Sequence, residues 1–458
     1  MYYISIWCIA LIVSIVLFQK ASGSLSLVKP NVISITFYYS LLITSFIGTL
    51  LIALGVDQHY MIDRLRDESV RHTGFWLIVL VMVLMPTVMV IVSGLSRFES
   101  EVELTGYLEK KVALEDNKMI FFLFSILAAI GVFAVAYTYL NLRQIPLLGL
   151  VTGASSHELA QMRIEASRDF GGNIYIRNIF ALQLVPLLSL IAFVYGTVSK
   201  QVKWRLWFII LLGASILISL YDLAKAPIFF YFLMLLLTSI YIGQVKLNLR
   251  KITVLALGGV TGLIVMYVFI QDVTSLNQFL SYNTGPLGRL ILAQISPFFL
   301  HLDLFGNYVP YLGGKSLPSS FLALYDLEHI RSARLTLEYY FPDRVEDGTG
   351  GVLNTIYIAE AYANFGYLGV VAGTIYIGLF LQGLYIIFLR LKKHPILIGL
   401  FVYFTINIPR TIVGGFADFL YNPIWIAATV LTAGILIFYR FYSDASQRWP
   451  VLKLKRKL

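Results

Sequence analysis

Outside its apolar stretches this chain carries arginines and lysines at positions that suit phosphate chemistry. Arg163, Arg168 and Arg177 fall in QMRIEASRDFGGNIYIRN (161–178). Lys225 sits in the tight turn YDLAKAP (221–227), Arg289, Arg331, Arg334 and Arg344 in a long loop, and Arg410 in INIPRTIVGG (406–415). Arginine presents a planar fork of donors that grips phosphate oxygens in pairs and keeps its proton near neutral pH; lysine supplies a point charge. Each also has a plainer use. Glu165, Asp169, Asp326, Glu328 and Asp343 are acidic neighbours for the loop arginines, Asp222 for Lys225 and Asp418 for Arg410. Lys225 and Arg410 sit beside apolar runs, where a charge without an interaction is costly.

A second signal is NTIYIAEAYANFGYLGVVAG (354–373), in which Glu360 and Asn364 stand four apart and share a helical face. A carboxylate there can act as general base toward a hydroxyl, or it can hold a loop arginine in a salt bridge; the residues leave both open. Gly366 and Gly369 provide for a backbone break and close packing. Gly258 and Gly262 have the spacing of a helix-packing face. There is no phosphate-binding glycine loop, nucleophile elbow, zinc motif or redox cysteine pair. His301 and His329 are far apart and make no ligand cluster, so no metal site is expected.

Lipid must position these residues. The 458 residues are 58% hydrophobic and only 13% charged, against about 25% charged in soluble domains. Apolar runs of about 20 residues, enough to cross a ~30 Å hydrocarbon layer, recur along the chain. Backbone groups in lipid must be satisfied within the span or a closed barrel. Continuous Leu, Ile, Val and Phe runs, rather than alternating ten-residue segments, select helices. The fold expected is therefore an all-α polytopic membrane protein in one integral membrane domain, 1–458. The one cysteine, Cys8, lies in the first apolar run and gives no disulfide framework. The net charge of +10 sits mostly in short loops beside spans and carries no nucleic-acid motif, so nucleic acid is not an expected partner.

Eleven spans are predicted, within a range of ten to twelve: 3–18, 32–55, 75–96, 119–141, 178–199, 206–221, 227–243, 253–271, 367–389, 396–412 and 422–440. The first has no Lys or Arg before it and Lys20 after it, the reverse of a cleaved signal peptide. Four basic clusters (Lys200 to Arg205, Lys246 to Lys251, Arg390 to Lys393, and Arg440 to Lys457) fall on alternate connections, hence on one side. The positive-inside rule makes that side the cytoplasm, with the N-terminus outside and the C-terminus inside. The exterior then holds loops 142–177 and 272–366 and the turns 222–226 and 409–421. Loop 56–74 carries Arg64, Arg66 and Arg71 yet falls outside; interleaved with Asp63, Asp67 and Glu68, it reads as an amphipathic surface segment. Within 272–366 the run 287–305, with its central Pro297, reads as a re-entrant or interfacial helix, with a twelfth span as the rival.

With LSLVKPNVISITFYYSLLI (25–43), GGNIYIRN, the basic turn at Lys225 and the long loop running into AEAYANFGYLG, the chain resembles the Wzy-type O-antigen and capsule repeat-unit polymerases. These are relatives of the O-antigen ligases in the GT-C superfamily. The resemblance is one of layout over nearly the whole chain rather than of strict motifs. It implies a metal-independent, cofactor-free glycosyltransferase of the bacterial inner membrane, with its site facing the exterior. Its substrates would be undecaprenyl-diphosphate-linked oligosaccharides, and a chain-length regulator protein is an implied partner. A growing chain would pass from its lipid diphosphate to a hydroxyl of a fresh lipid-linked unit, building O-antigen or capsular polysaccharide.

On that resemblance Lys225, Arg410 and Arg289 become diphosphate ligands, with Arg163 and Arg168 closing over the donor. Glu360 becomes the base or the residue that orients the acceptor. Arg177, Arg331, Arg334 and Asn364 join the substrate surface, and Tyr339, Tyr340 and Phe341 offer a sugar platform or an interfacial belt. The family commonly has Arg in the short turn where this chain has Lys225, so a bidentate clamp is not available there. A flippase or transporter of the same lipid-linked sugars is the alternative, and it should place charge at mid-span; these spans are nearly charge-free. An O-antigen ligase is the other alternative, with His301 or His329 as its histidine.

Overall fold

A computed structural model of the protein describes residues 1–271, 277, 280–283, 285–347 and 350–448. Among these residues the chain is helical, with one isolated backbone bridge between Phe305 and Val309 and no strand. Among the described residues nine helices are long and apolar enough to cross a membrane: Tyr2–Ser22, Val32–Ala53, Ser69–Leu95, Lys118–Leu140, Ile176–Val198, Val202–Ser219, Ile358–Arg390, Pro395–Ile412 and Ala417–Tyr442. The other two predicted spans correspond to Lys225–Tyr241, an apolar helix of 17 residues, and Leu249–Gln271, of 23 residues.

The chain divides into two compact units. The first comprises Met1–Tyr107, Leu247–Arg390 and Phe404–Asn422; the second comprises Leu108–Lys246, Leu391–Tyr403 and the chain from Pro423.

In the first unit Ser69–Leu95 packs against Tyr2–Ser22 and Ile358–Arg390. Several polar groups inside these helices bond across to neighbouring helices, which lowers the cost of placing them in lipid. Ser14 Oγ donates to the Met82 carbonyl at 2.7 Å, Gln382 Nε2 to Ser93 Oγ at 2.8 Å, and Tyr385 OH to the Ser22 carbonyl at 2.8 Å. Arg390 grips Glu103 at 2.7 Å and Ser100 Oγ donates to the Lys20 carbonyl, so connections assigned to one side meet at one end. Elsewhere in this unit the segments 54–68 and 413–422 each meet residues of 285–347. In the second unit Lys203 pairs with Asp116 at 3.2 Å and Lys392 pairs with Glu115, again joining loops expected to share a side.

The run 287–305 is not one helix. It breaks into Pro286–Ile291 and Ser296–Leu304, about 9 and 14 Å long at 1.5 Å per residue, too short to cross. All nine residues of Ser296–Leu304 are buried, packed on Ser69–Leu95, Ser332–Tyr340 and Ile358–Arg390. Gly258 and Gly262 do not form the packing face their spacing suggested. Among the described residues nothing lies within 4 Å of a Cβ built at either, because small residues permit close approach but do not supply a partner.

Candidate functional site

Glu360 and Asn364 lie on the first stretch of the Ile358–Arg390 helix, just before its break. Phe365 and Gly366 leave helical geometry there, Gly366 at φ +60°. A Cβ on Gly369 would fall 2.1 Å from the Ala361 carbonyl, so the chain turns back tightly on itself at both predicted glycines. The break frees 358–364 from the span axis and sets both polar side chains against loop 312–316.

Asn364 is buried, and its Oδ1 accepts from the backbone N–H groups of Gly314 at 3.1 Å and Ser316 at 3.3 Å. Its Nδ2 donates to Ser316 Oγ and to the Glu360 carbonyl. Glu360 Oε1 accepts from Ser316 Oγ at 2.9 Å, and Oε2 from the backbone N–H groups of Phe416 and Ala417. The salt bridge to a loop arginine, one of the two readings left open for this carboxylate, gives way here to bonds from a hydroxyl and two amides. Three of the roughly four acceptor positions of the carboxylate are filled. Asp418 follows on the same turn, and the charge of Arg331 acts on it. Arg331 also donates to Asn354 Oδ1 at 3.1 Å. Arg410 is half-buried on its helix and donates to Asn407 Oδ1 at 3.2 Å. Arg289 stands exposed on Pro286–Ile291.

Other predicted residues have structural employment in the first unit. Arg334 is held by Glu338 at 2.6 Å and by the carbonyls of Gly350 and Gly351. Tyr340 is buried, and its hydroxyl donates to Asp303 at 2.7 Å; burial and that carboxylate hold its proton well above the usual phenol range. Tyr340 and the buried Phe341 therefore do not extend a sugar platform with Tyr339, because their rings face inward. Tyr339 is partly open, stacked on Tyr308 with centroids 6.1 Å apart. Arg66 crosses both rings at 4.8 and 5.1 Å and donates to Tyr339 OH at 2.7 Å.

Asp303, fully buried, accepts the backbone N–H groups of Arg66 and Asp67 as well as Tyr340 OH. It ties loop 56–68 to Ser296–Leu304, a connection that sequence reasoning missed. The available signal was the row Arg64, Arg66 and Arg71, basic residues in a connection expected on the side where insertion does not require them. Arg71 bridges Asp57 and Glu68.

In the second unit the predicted cations collect around the turn 220–224. Arg163, on Ser156–Arg168, donates through Nε to the Asp222 carbonyl at 3.0 Å. Asp222 Oδ1 accepts the Ala224 N–H at 3.0 Å, and Leu223 turns at φ +52° into the first helical residue, Lys225. Arg177 reaches the same turn with its guanidinium 5.7 Å from the Tyr221 ring centre. It is buried, however, and spends Nη1 on the carbonyls of Ala166 and Ser167 at the end of Ser156–Arg168 while lying over Phe170. This suits a C-terminal helix cap rather than a ligand contact. Tyr221 bonds Ser167 and Asp222, and burial beside Asp222 pushes its phenol up to about 12. Arg168 is exposed in the last turn of its helix.

No group of three His, Cys, Asp or Glu able to hold a metal occurs among the described residues. His301 is enclosed, its Nδ1 2.7 Å from the Pro297 carbonyl, while His329 is exposed. The fold defines a multi-pass α-helical membrane protein. No family model matches the chain, and no curated protein and no solved structure matches it.

Proposed function

We propose that this protein is a glycosyltransferase that polymerises undecaprenyl-diphosphate-linked oligosaccharide units into O-antigen or capsular polysaccharide on the exterior face of a bacterial inner membrane. The observation that carries the reading is the meeting of Arg163 with the turn that delivers Lys225. Two cations some sixty residues apart in sequence come to one turn at the end of an apolar helix.

In the reaction an acceptor hydroxyl attacks the anomeric carbon of the donor chain. The carbon–oxygen bond to the diphosphate breaks, a glycosidic bond forms, and undecaprenyl diphosphate leaves carrying the negative charge. Fixed cations stabilise that leaving group without a metal, and such electrostatic terms are commonly the largest in catalysis. For the hydroxyl proton the candidate is Glu360 of the first unit, proposed from its residue type and position rather than from any contact with that turn. With the four basic clusters inside, the turn 222–226 and the loops 142–177 and 272–366 face the exterior, where the lipid-linked units would be met.

The test uses full-length protein in nanodiscs with a purified undecaprenyl-diphosphate-linked repeat unit, without nucleotide sugar and with chelator present. A ladder of polymer supports the reading. Loss of the ladder on adding chelator, or transport of the unit without elongation, would falsify it.

A further inference from the structure

Another cleft lies in the first unit, lined by residues other than Glu360 and its partners. It has a volume of about 390 Å³ and is lined by Tyr60, Asp63, Arg64, Phe341, Asp343 and Arg344. That size is at the lower end of the ~300–1,000 Å³ typical of small-ligand sites. Phe341 forms the floor, only 5% exposed, while Tyr60 stands 43% exposed at the edge, its ring 5.9 Å from Phe341 and tilted by 69°. The guanidiniums of Arg64 and Arg344 lie 5.4 and 5.3 Å from the centre of the same Phe341 ring. Arg344 also lies 4.8 Å from the Tyr60 ring centre and donates to its hydroxyl at 3.4 Å.

Two like charges are therefore brought to one aromatic ring, where attraction to the π face offsets part of their repulsion. Asp63 and Asp343 line the same cleft and balance them, so the site as a whole is close to neutral. A bare phosphate would meet two carboxylates as well as two guanidiniums and gain little. A neutral polyhydroxyl ring is a better match. Guanidiniums donate to its oxygens, carboxylates accept from its hydroxyls, and the exposed Tyr60 ring at the edge meets its apolar C–H face.

We infer that this cleft is a glycan subsite for one or two neutral sugar residues, distinct from the residues assigned to group transfer. The choice of a glycan rests on the polymerase reading; the balance of donors, acceptors and rings is the cleft's own. Such a subsite would hold the saccharide by its sugars rather than by its lipid diphosphate.

Full-length protein in nanodiscs is applied to an array of lipid-free O-antigen and capsule oligosaccharides of two to six sugars. Retention on at least one neutral glycan is expected, falling at least tenfold in the double variant Arg64→Ala/Arg344→Ala and in Tyr60→Ala. Asp343→Asn, at an exposed position, should weaken binding at least threefold with unchanged thermal melting. A silent array, undiminished binding by the double variant, or displacement of the glycan by glycerol 1-phosphate would each overturn the inference. A polymer ladder with a silent array removes the subsite alone. Glycan retention without a ladder supports the subsite and removes the polymerase reading.

Discussion

Asn364 and Ser316 hold one another twice across 48 residues of sequence: the Ser316 N–H donates to Asn364 Oδ1 at 3.3 Å, and Asn364 Nδ2 donates to Ser316 Oγ. Ser316 Oγ in turn donates to Glu360 at 2.9 Å. One serine thus links the amide and the carboxylate that share a helical face, and loop 312–316 is fixed to the segment before the Gly366 break.

Replacing Asn364 by Ala leaves the buried N–H groups of Gly314 and Ser316 without their acceptor. An unsatisfied buried donor costs about 1–3 kcal/mol, so Asn364→Ala should destabilise the protein by roughly 2 kcal/mol or more. Asn364→Asp keeps the acceptor but turns a carboxylate oxygen toward the Glu360 carbonyl, so it should not recover the loss. Thermal melting in detergent checks this, and equal melting of Ala and wild type would contradict it.

Glu360→Ala removes the acceptor of two backbone amides and one hydroxyl, each a charge-assisted contact. Such bonds contribute about 1.5–3 kcal/mol apiece, so this variant should fold poorly. Glu360→Gln keeps one acceptor oxygen and should fold, yet lose at least tenfold in polymer formation. A Gln variant with full activity would leave Glu360 a structural latch only.

Arg163→Ala and Lys225→Ala should each lower polymer formation by about a hundredfold, the usual order for loss of one group stabilising a leaving anion. Lys225→Arg restores the fork common in the resembled family and should keep most of the activity. Initial rates on a lipid-linked repeat unit decide it; retention of activity by both Ala variants would rule out the diphosphate assignment.

The pH dependence should be read at His394, in the short connection between Ile358–Arg390 and Pro395–Ile412. Burial lowers its pKa to about 4, with Glu115 opposing the shift and Lys392 and Arg440 adding to it. Its Nδ1 accepts the Ile396 N–H at 3.2 Å and its Nε2 lies 3.3 Å from Tyr195 OH. An unfolded histidine takes its proton near pH 6.5. Between that value and about 4 the unfolded chain therefore binds more protons, and stability falls as pH falls. The loss from pH 7 to pH 5 should be about 2 kcal/mol. His394→Asn, which keeps an acceptor for Ile396, should flatten the melting curve over that range; an unchanged slope would assign the effect elsewhere.

The spans were legible in the sequence because lipid leaves a segment of about 20 apolar residues almost no alternative to a helix. The same holds for the break at Gly366, where a glycine inside an apolar helix answers a local need for positive φ. Glu360 and Asn364 could be placed on one face because a helix fixes the spacing of four. Their partners could not be read. Ser316 and the amides of Phe416 and Ala417 lie 44 to 57 residues away, and no local rule joins them.

Loop arginines were the least legible, since one residue type serves as ligand, helix cap and aromatic cover. Arg177 was taken up by carbonyls and rings, Arg334 by Glu338, and Arg66 by Tyr308 and Tyr339. Sequence alone determined that this chain is a helical membrane protein with unexplained cations outside its spans, because hydrophobicity and helical period act locally. Which cations meet a turn, which cap a helix and which line a cleft was decided only by tertiary structure, because a guanidinium's partner depends on what long-range packing brings within about 3 Å of it.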